Sequence, residues 1–175
     1  MKAMICAAAA ALALGGCATR AGLERGRGSG AEADIRDVGG RVVARSSATP
    51  RGSSIRIRVQ AAGLAAGVYG MHVHSAGRCD PPAFESAGPH WNPTARAHGR
   101  DNARGQHLGD LPNLVVGSDG RGAIEFTIPA AGLAGGAAPM LDSDGAAIVI
   151  HARSDDYRTD PSGNSGARIA CGVYR

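Results

Sequence analysis

Two histidines lie one residue apart in the segment GMHVHSAGRC, at His72 and His74. Successive side chains of a β-strand point to opposite faces, so these two imidazoles would lie on the same face of a strand. Met71 and Val73 alternate with them, which predicts that the apolar pair points into a core and the histidines point away from it. Two imidazoles on one strand face can bind the same metal ion.

The remaining four histidines strengthen the metal hypothesis, because each lies in or beside a segment without a regular pattern. His151 ends the segment AAIVIHA with parity opposite to Ile148 and Ile150, so it too can point away from the core. Imidazole suits copper and zinc, and a carboxylate that completes an imidazole set suits zinc. The long stretch 75–114 contains the other candidates, His90, His98, His107 and Asp110. A single histidine would more often be an ordinary surface or buried residue, whereas the whole group predicts a metal site.

Alternating apolar residues predict the strands that must position these side chains. SIRIRVQA places Ile55, Ile57 and Val59 on one face, and strand-like patterns recur in GRVVARS, residues 67–74, AIEFTI, AAIVIHA and ACGVY. AIEFTI would turn its isoleucines and phenylalanine inward. Without an amphipathic helix after the N-terminal segment, the pattern favours an all-β sandwich or barrel. Residues 75–114 and 153–167 lack the pattern and are predicted to be two long functional loops.

Length and charge bound the classes of function. A chain of 175 residues can form one domain with a core of its own. The formal net charge of +4 permits an anionic ligand, but no dense Lys/Arg tract accompanies it. We therefore expect no nucleic-acid partner.

The N-terminus resembles an export signal. MKAMICAAAAALALGGC combines an early lysine, an apolar run too short to span a membrane and small residues before Cys17, and LGGC resembles the lipobox of bacterial lipoproteins. We predict a signal peptide over 1–16, lipid on Cys17, a flexible tether over 17–31 and a domain over 32–175. The alternative is ordinary cleavage near Ala18. AEADIRDVGG could be a first strand or a continuation of the tether.

This reading predicts an exported protein, lipid-anchored to a bacterial cell membrane, with the outer membrane favoured and the domain in the periplasm. It assigns Cys6 to the removed peptide and Cys17 to lipid, which leaves Cys79 and Cys171. One pair of cysteines in an oxidising compartment suggests a disulfide. Two unpaired buried thiols are the alternative.

Five segments together carry a family resemblance: GMHVHSAGRC, AGPHWNP, AHG, HLGDLPN and GNSGARIACGVY. In this order and spacing, from about Ile35 to the last residue, the chain resembles the copper–zinc superoxide dismutases. The resemblance implies an eight-stranded Greek-key β-barrel or sandwich, with both metals held on its outside by two long loops.

The resemblance also implies a role for each matching residue. The copper ligands would be His72, His74, His90 and His151, and the zinc ligands would be His90, His98, His107 and Asp110. His90 would bridge the two metals, and Arg168 would be the channel arginine beside copper. Asp155 would join a copper ligand to a zinc ligand, although Asp156 lies beside it. Cys79 and Cys171 would form the disulfide that ties the long loop to the barrel.

The implied activity is dismutation of superoxide to oxygen and hydrogen peroxide by a redox-cycling copper, with one copper and one structural zinc per subunit. His90 would take up and donate a proton, and Arg168 would attract the superoxide anion. The sequence does not decide between a monomer and a homodimer.

Two alternatives belong to other functional classes. One is a non-catalytic copper-binding or copper-delivery lipoprotein of the same fold, which would be expected to lack the channel arginine or a bridge-site ligand. The other is a structural lipoprotein whose metal only fastens the loop, as in a closed zinc site. The presence of Arg168 and of a complete ligand set favours the enzyme.

Overall fold

The computed structural model describes residues 30–175. The predicted signal peptide, Cys17 and all but the last two residues of the predicted tether lie outside the described residues. Within residues 30–175 no helix is long and apolar enough to cross a membrane. The described part is almost entirely strands and loops. Its strands are β1 (Ala31–Asp37), β2 (Val42–Arg51), β3 (Ser54–Ala62), β4 (Gly67–Tyr69), β5 (Met71–His74), β6 (Leu114–Val116), β7 (Arg121–Pro129), β8 (Ala147–His151) and β9 (Arg168–Val173).

The strands form one curled antiparallel sheet with the order β5-β8-β9-β1-β2-β3-β7 and a two-stranded sheet of β4 and β6. A tight turn joins β6 to β7, where Gly117 N donates to the carbonyl of Arg121 (2.9 Å). Gly70 alone separates β4 from β5, so the small sheet links the two edges of the large one. Counted with β4 and β5 as one interrupted strand, the described strands number eight. This architecture confirms the predicted Greek-key barrel.

The alternation in β3 produces the predicted faces. Ile55, Ile57 and Val59 are fully buried, whereas Arg58 and Gln60 are exposed. β2, which contains most of GRVVARS, pairs with β3 from Ala44 to Arg51. In β7 only Ile128 of the inward-facing residues is fully buried; its two neighbours on that face, Ile124 and Phe126, are half-buried and pack against the core.

The first strand resolves the ambiguity at the N-terminal end of the domain. AEADIRD forms β1, which pairs with β2 and, through Arg36 and Asp37, with β9. β1 begins at Ala31, one residue before the predicted start of the domain. Ala31, Ala33 and Ile35 alternate inward into the core. This segment is therefore part of the sheet and not a continuation of the tether.

The two irregular segments are loops, as predicted. Loop A, residues 75–113, joins β5 to β6 and contains one short 3₁₀ turn, Glu85–Ala87; loop B, residues 152–167, joins β8 to β9. Both lie against the outer face of β5 and β8. Met71 and Val73 point into the barrel core, while His72 and His74 point out beneath the loops and are fully buried by them.

Candidate metal centre

Backbone pairing between β5 and loop A assembles the site. Val73 N donates to the carbonyl of Gly109 (2.9 Å), and Trp91 N donates to the carbonyl of Val73 (2.8 Å). These bonds set His72 opposite Asp110 and His74 opposite His90 in antiparallel bridges. Side chains directly opposite each other in such a pairing lie on the same face, about 4.5–5.5 Å apart at Cβ. The register of the loop therefore delivers its ligand-type side chains to the histidines of β5.

This close pairing requires a glycine at position 109. A Cβ on Gly109 would lie 2.3 Å from the carbonyl oxygen of Val73 and 3.1 Å from the backbone of Trp91. A Cβ atom essentially never lies as close as 2.3 Å to a carbonyl oxygen, so a side chain would push the loop from the strand. The glycine of HLGD thus allows the backbone of loop A to lie close to the backbone of β5.

β8, the strand paired with β5 in the large sheet, contributes His151. In the β5–β8 pairing His72 lies opposite Val149, so His151, two residues further along β8, is the diagonal neighbour of His72 on the same face. Their ring centroids are 4.8 Å apart. Ile148 and Ile150, of the opposite parity, are fully buried in the barrel core.

Four buried imidazole nitrogens in this group have no hydrogen-bond partner. Among the described residues, five buried side-chain nitrogen or oxygen atoms are unpartnered, and four of them are His72 Nδ1, His74 Nε2, His90 Nε2 and His151 Nε2. One ligand atom from each of these histidines can be chosen so that all four lie within 4.8 Å of one another. Buried nitrogens are normally satisfied, so their convergence indicates a missing partner. A metal ion bound by four imidazoles supplies such a partner.

In three of these four rings the opposite nitrogen is held by the protein. His72 Nε2 donates to Asp155 Oδ2 (2.8 Å), His74 Nδ1 to the carbonyl of Gly88 (2.8 Å) and His151 Nδ1 to the carbonyl of Gly166 (3.0 Å). A proton fixed on one ring nitrogen leaves a lone pair on the other. The rings are therefore oriented as metal ligands.

A second convergence lies on the far side of His90. The Nδ1 atoms of three histidines approach one oxygen, Asp110 Oδ1, at 3.0–3.1 Å: they belong to His90, His98 and His107. His107 Nδ1 and His90 Nδ1 are 3.4 Å apart. Ligands about 2.0–2.1 Å from a tetrahedral zinc would be about 3.3 Å from one another. These four distances are therefore compatible with four ligands of one tetrahedral zinc.

Two details favour this set of four. Asp110 Oδ2 accepts hydrogen bonds from the backbone N–H of Gly99 (2.9 Å) and His107 (3.0 Å), which turns Oδ1 toward the rings. His72 also lies within reach of this group. However, Asp155 engages its Nε2 and its free Nδ1 belongs to the first set, so His107 completes the second.

Burial decides the protonation of the first set. Burial, with smaller contributions from neighbouring histidines, lowers the pKa of His72 to about 3 and that of His151 to about 4, because a charged ring is poorly solvated there. Burial also lowers the pKa of His74 and His90. All four rings are therefore neutral near pH 7, and the neutral ring is the form that binds metal.

In the second set, hydrogen bonds outweigh burial in determining the pKa of His98 and Asp110. Burial opposes the charged form of His98, but hydrogen bonds to Asp110 and Asp155 outweigh it and raise the pKa of His98 to about 9. Burial also opposes ionisation of Asp110, yet its hydrogen bonds to histidines hold the pKa of that carboxyl far below its ordinary range. A negative charge surrounded by imidazoles suits a divalent cation.

A carboxylate joins the two sets. Asp155 is 3% exposed, and its Oδ1 accepts from His98 Nε2 at 3.0 Å while its Oδ2 holds His72. Asp156 instead points outward and accepts hydrogen bonds from Thr159 and Asn164 within loop B. Of the two adjacent aspartates, the geometry selects Asp155 as the link.

Arg168 lies at the mouth of the site. A cleft of about 810 Å³ opens over His74, His90 and His151, and Arg168, Arg96 and Ser162 are among the residues that line it. The Arg168 guanidinium donates to the carbonyls of Phe84 (2.7 Å) and Gly88 (2.8 Å), which fixes its charge beside the histidines. A larger depression of about 1080 Å³ lies over β1 and β2, but none of the six histidines lines it.

The predicted disulfide is present between Cys79 of loop A and Cys171 of β9, with Cα atoms 5.7 Å apart. It lies beside Phe84, whose carbonyl anchors Arg168. The covalent link therefore fastens the part of loop A that positions the arginine.

Sequence reasoning did not single out several residues that position the site. The carbonyls of Gly88 and Gly166 orient two rings, but backbone acceptors leave no side-chain signal. Asn113 binds the backbone of Asp155 at both N–H (2.8 Å) and carbonyl (2.9 Å). Its place in the HLGDLPN motif is the one signal that could have drawn attention to it.

Comparison with known proteins agrees with this geometry. The family model for copper/zinc superoxide dismutase matches residues 38–174. A Cu–Zn superoxide dismutase of Aquifex aeolicus is 37% identical over 147 residues, covering 83% of this chain and 86% of that protein. One from Caulobacter vibrioides is 40% identical over 124 residues, covering 69% and 71%. The superoxide dismutase-like protein YojM of Bacillus subtilis is 50% identical over 105 residues, which span 59% of this chain but only 54% of YojM.

Solved structures show the same fold. A superoxide dismutase-like protein from Bacillus subtilis superposes with a TM-score of 0.76 at 39% identity, covering 81% of this chain and 96% of that one. The clock protein EA4 superposes with a TM-score of 0.67 at 29% identity, covering 83% and 93%. The family match and the similarity to these dismutases identify the chain as an enzyme that dismutates superoxide and uses copper and zinc as cofactors. It belongs to the copper/zinc superoxide dismutase family.

Proposed function

We propose that dismutation takes place at a copper bound by His72 Nδ1 and by Nε2 of three further histidines, His74, His90 and His151. The observation that carries this proposal is the convergence of four unpartnered buried imidazole nitrogens. The zinc would be bound by Asp110 Oδ1 and the Nδ1 atoms of His90, His98 and His107, the atoms that converge on the other side of His90.

His90 is proposed to bridge the two metals. Its Nδ1 belongs to the group around Asp110, while its Nε2 is one of the four unpartnered nitrogens. One ring therefore presents a nitrogen to each set. His90 lies 3.9 Å from His72 and 5.3 Å from His98, measured between ring centroids, which puts it between the two groups.

Copper when bound supplies one-electron redox chemistry, and zinc supplies fixed positive charge. The chain's part is to keep the rings oriented while charge changes beside them, which Asp155 and the carbonyls of Gly88 and Gly166 do. The second half-reaction consumes two protons, and His90 Nε2, when that nitrogen is not bound to copper, would be the atom that carries one of them before its transfer to peroxide. His90 is 7% exposed and is one of the residues that line the cleft.

Arg168 is proposed to receive the substrate. Its guanidinium is held by two carbonyls of loop A and faces the cleft that reaches His74 and His151. A fixed guanidinium attracts a small anion by charge and by hydrogen bonds. Superoxide would therefore dock between Arg168 and the copper-binding nitrogens.

Metal reconstitution tests the proposal against its alternatives. The metal-free protein should gain dismutase activity with one equivalent each of copper and zinc, and none with zinc alone. His151→Ala should retain zinc and lose activity, because His151 belongs to the copper set alone. A fully loaded protein without dismutase activity would support copper binding or delivery, and uptake of zinc alone would support a structural site.

We also propose export and lipid anchoring through Cys17, with the outer membrane favoured and the domain in the periplasm. The support is the N-terminal pattern, a short apolar run followed by LGGC. Several acyl chains on one cysteine would hold the protein firmly, whereas one chain binds only marginally. Mass spectrometry of the purified protein should find a lipidated Cys17 at the N-terminus, and a free, unmodified Cys17 would contradict the anchor.

A further inference from the structure

Tyr157 of loop B has an unusual backbone conformation. Its φ is 62°, in the left-handed region that bulky side chains rarely adopt. Such a conformation persists only when the surrounding contacts hold it, and it recurs near functional sites. Tyr157 lies two residues after Asp155, the carboxylate that joins the two histidine sets.

The contacts of Tyr157 connect it to that carboxylate. Its N–H donates to Asp155 Oδ1 at 2.6 Å, and Oδ1 is the oxygen that also accepts from His98. Its Oη accepts from the backbone N–H of Asn113 at 2.8 Å. Asn113 in turn binds the backbone of Asp155 through its side-chain amide. Asp155, Tyr157 and Asn113 therefore form a closed ring of hydrogen bonds.

Loop A encloses the tyrosine from the other side. The guanidinium carbon of Arg100 lies 3.8 Å from the centroid of the Tyr157 ring, and Asp101 N donates to the Tyr157 carbonyl at 3.0 Å. A Cβ on Gly99 would lie 2.1 Å from that carbonyl oxygen, so the approach requires a glycine there. The segment after His98 is thus fastened to Tyr157 by its backbone and by a cation–π contact.

We propose that Tyr157 is a positioning residue that fixes Asp155 and, through it, the His98 ring in the zinc set. The inference rests on the proposed function, because it takes His98 as a zinc ligand. Without the Oη acceptor, Asn113 loses its tie to the tyrosine, and the carboxylate that orients His98 is held less firmly. Substitution of the hydrogen-bond partners of ligating histidines typically lowers metal affinity by 10–100-fold. For Tyr157→Phe we expect a decrease of about tenfold.

The test measures zinc affinity of the metal-loaded protein by chelator competition, together with the visible spectrum after Co²⁺ is substituted at the zinc site. Tyr157→Phe should bind zinc about tenfold more weakly and shift the Co²⁺ spectrum. Arg100→Gln, which removes the cation above the ring, should weaken zinc in the same direction by a smaller factor. If Tyr157→Phe fails to fold, the zinc affinity of Arg100→Gln tests the positioning role of Tyr157 in its place.

Tyr69→Phe is the matched control. Its hydroxyl donates to the carbonyl of Ala65, in a hydrogen bond away from the histidines. This variant loses one hydroxyl as well, but zinc affinity and the Co²⁺ spectrum should match those of the parent. Zinc affinities of Tyr157→Phe and Arg100→Gln within twofold of the parent would overturn the inference. Failure of the parent to bind zinc, or zinc binding unaffected by His98→Ala, would instead overturn the proposed ligand set.

Discussion

Asp155 holds His72 through one carboxylate oxygen (2.8 Å) and His98 through the other (3.0 Å). His72 belongs to the four-nitrogen set and His98 to the set around Asp110. One fully enclosed carboxylate thus orients a ring in each set. Its burial opposes its charge, but the hydrogen bonds from both histidines hold the pKa of Asp155 well below its ordinary range.

Asp155→Asn should weaken binding of zinc by about 10–100-fold and disturb the copper site, because an amide cannot accept from both rings. Chelator competition and the spectrum of bound Cu²⁺ measure the two effects. Asp156→Asn is the matched control, since Asp156 contacts neither histidine. Equal metal affinities for the two variants would contradict the linking role of Asp155.

Arg168→Ala should lower kcat/KM about tenfold, the lower end of the range for electrostatic steering, and reduce its dependence on ionic strength. Bound copper should be unchanged, because Arg168 belongs to neither histidine set. Stopped-flow assays across a range of salt concentrations measure the effect. Arg45→Ala removes the same charge from the outer face of β2, where it pairs with Asp34, and should leave the rate nearly unchanged. A salt dependence identical in the parent and Arg168→Ala would rule out steering by this residue.

Replacing both Cys79 and Cys171 by serine should lower the free energy of unfolding by about 2–4 kcal/mol. The bridge closes a loop across 92 residues of sequence, and its loss frees the unfolded chain. Thermal and denaturant unfolding of metal-loaded protein measure the change. Titration of the untreated parent should find neither of these two sulfurs as a free thiol; two reactive thiols there would be incompatible with the bridge.

The lowered pKa of Asp156 predicts that this residue stabilises the folded protein less as the pH falls. Hydrogen bonds from Thr159, with another from the Arg158 N–H, lower its pKa from the ordinary 3.8 to about 2. A carboxyl with a depressed pKa stabilises the folded state above its unfolded pKa, and this contribution fades as the pH falls toward 2. Metal-free Asp156→Asn should therefore melt below the parent at pH 5, and the gap should close by pH 2. A gap that stays constant over this range would show that the charge of Asp156 makes no contribution.

Local pattern was enough to predict much of the fold and the candidate site. Period-two alternation placed Ile55 and Ile57 in the core and turned His72 and His74 outward, because a strand leaves each side chain only two directions. The order of strands around the barrel depends on pairing between distant segments. The prediction of a Greek-key barrel came from the family resemblance and not from alternation, and neither supplied the order of the strands.

The features that the sequence did not reveal are mostly backbone hydrogen-bond acceptors and backbone conformations. The carbonyls of Gly88 and Gly166 belong to residues without side chains. Asp155 was named from the family resemblance, but its physical distinction from Asp156 depends on how loop B turns. The conformation of Tyr157 is set by contacts with loop A, which no local pattern encodes. Sequence could name the ligand types, whereas the geometry that orients them required the fold.

The most direct test of the account is anomalous diffraction from crystals of metal-loaded protein, measured at the copper and zinc absorption edges. It should place copper among the four nitrogens of His72, His74, His90 and His151. Zinc should lie at about 2.0–2.1 Å from the Nδ1 atoms of His90, His98 and His107, with Asp110 as its fourth ligand. A metal map in which His90 contacts neither ion, or in which both positions hold zinc after loading with both metals, would contradict it.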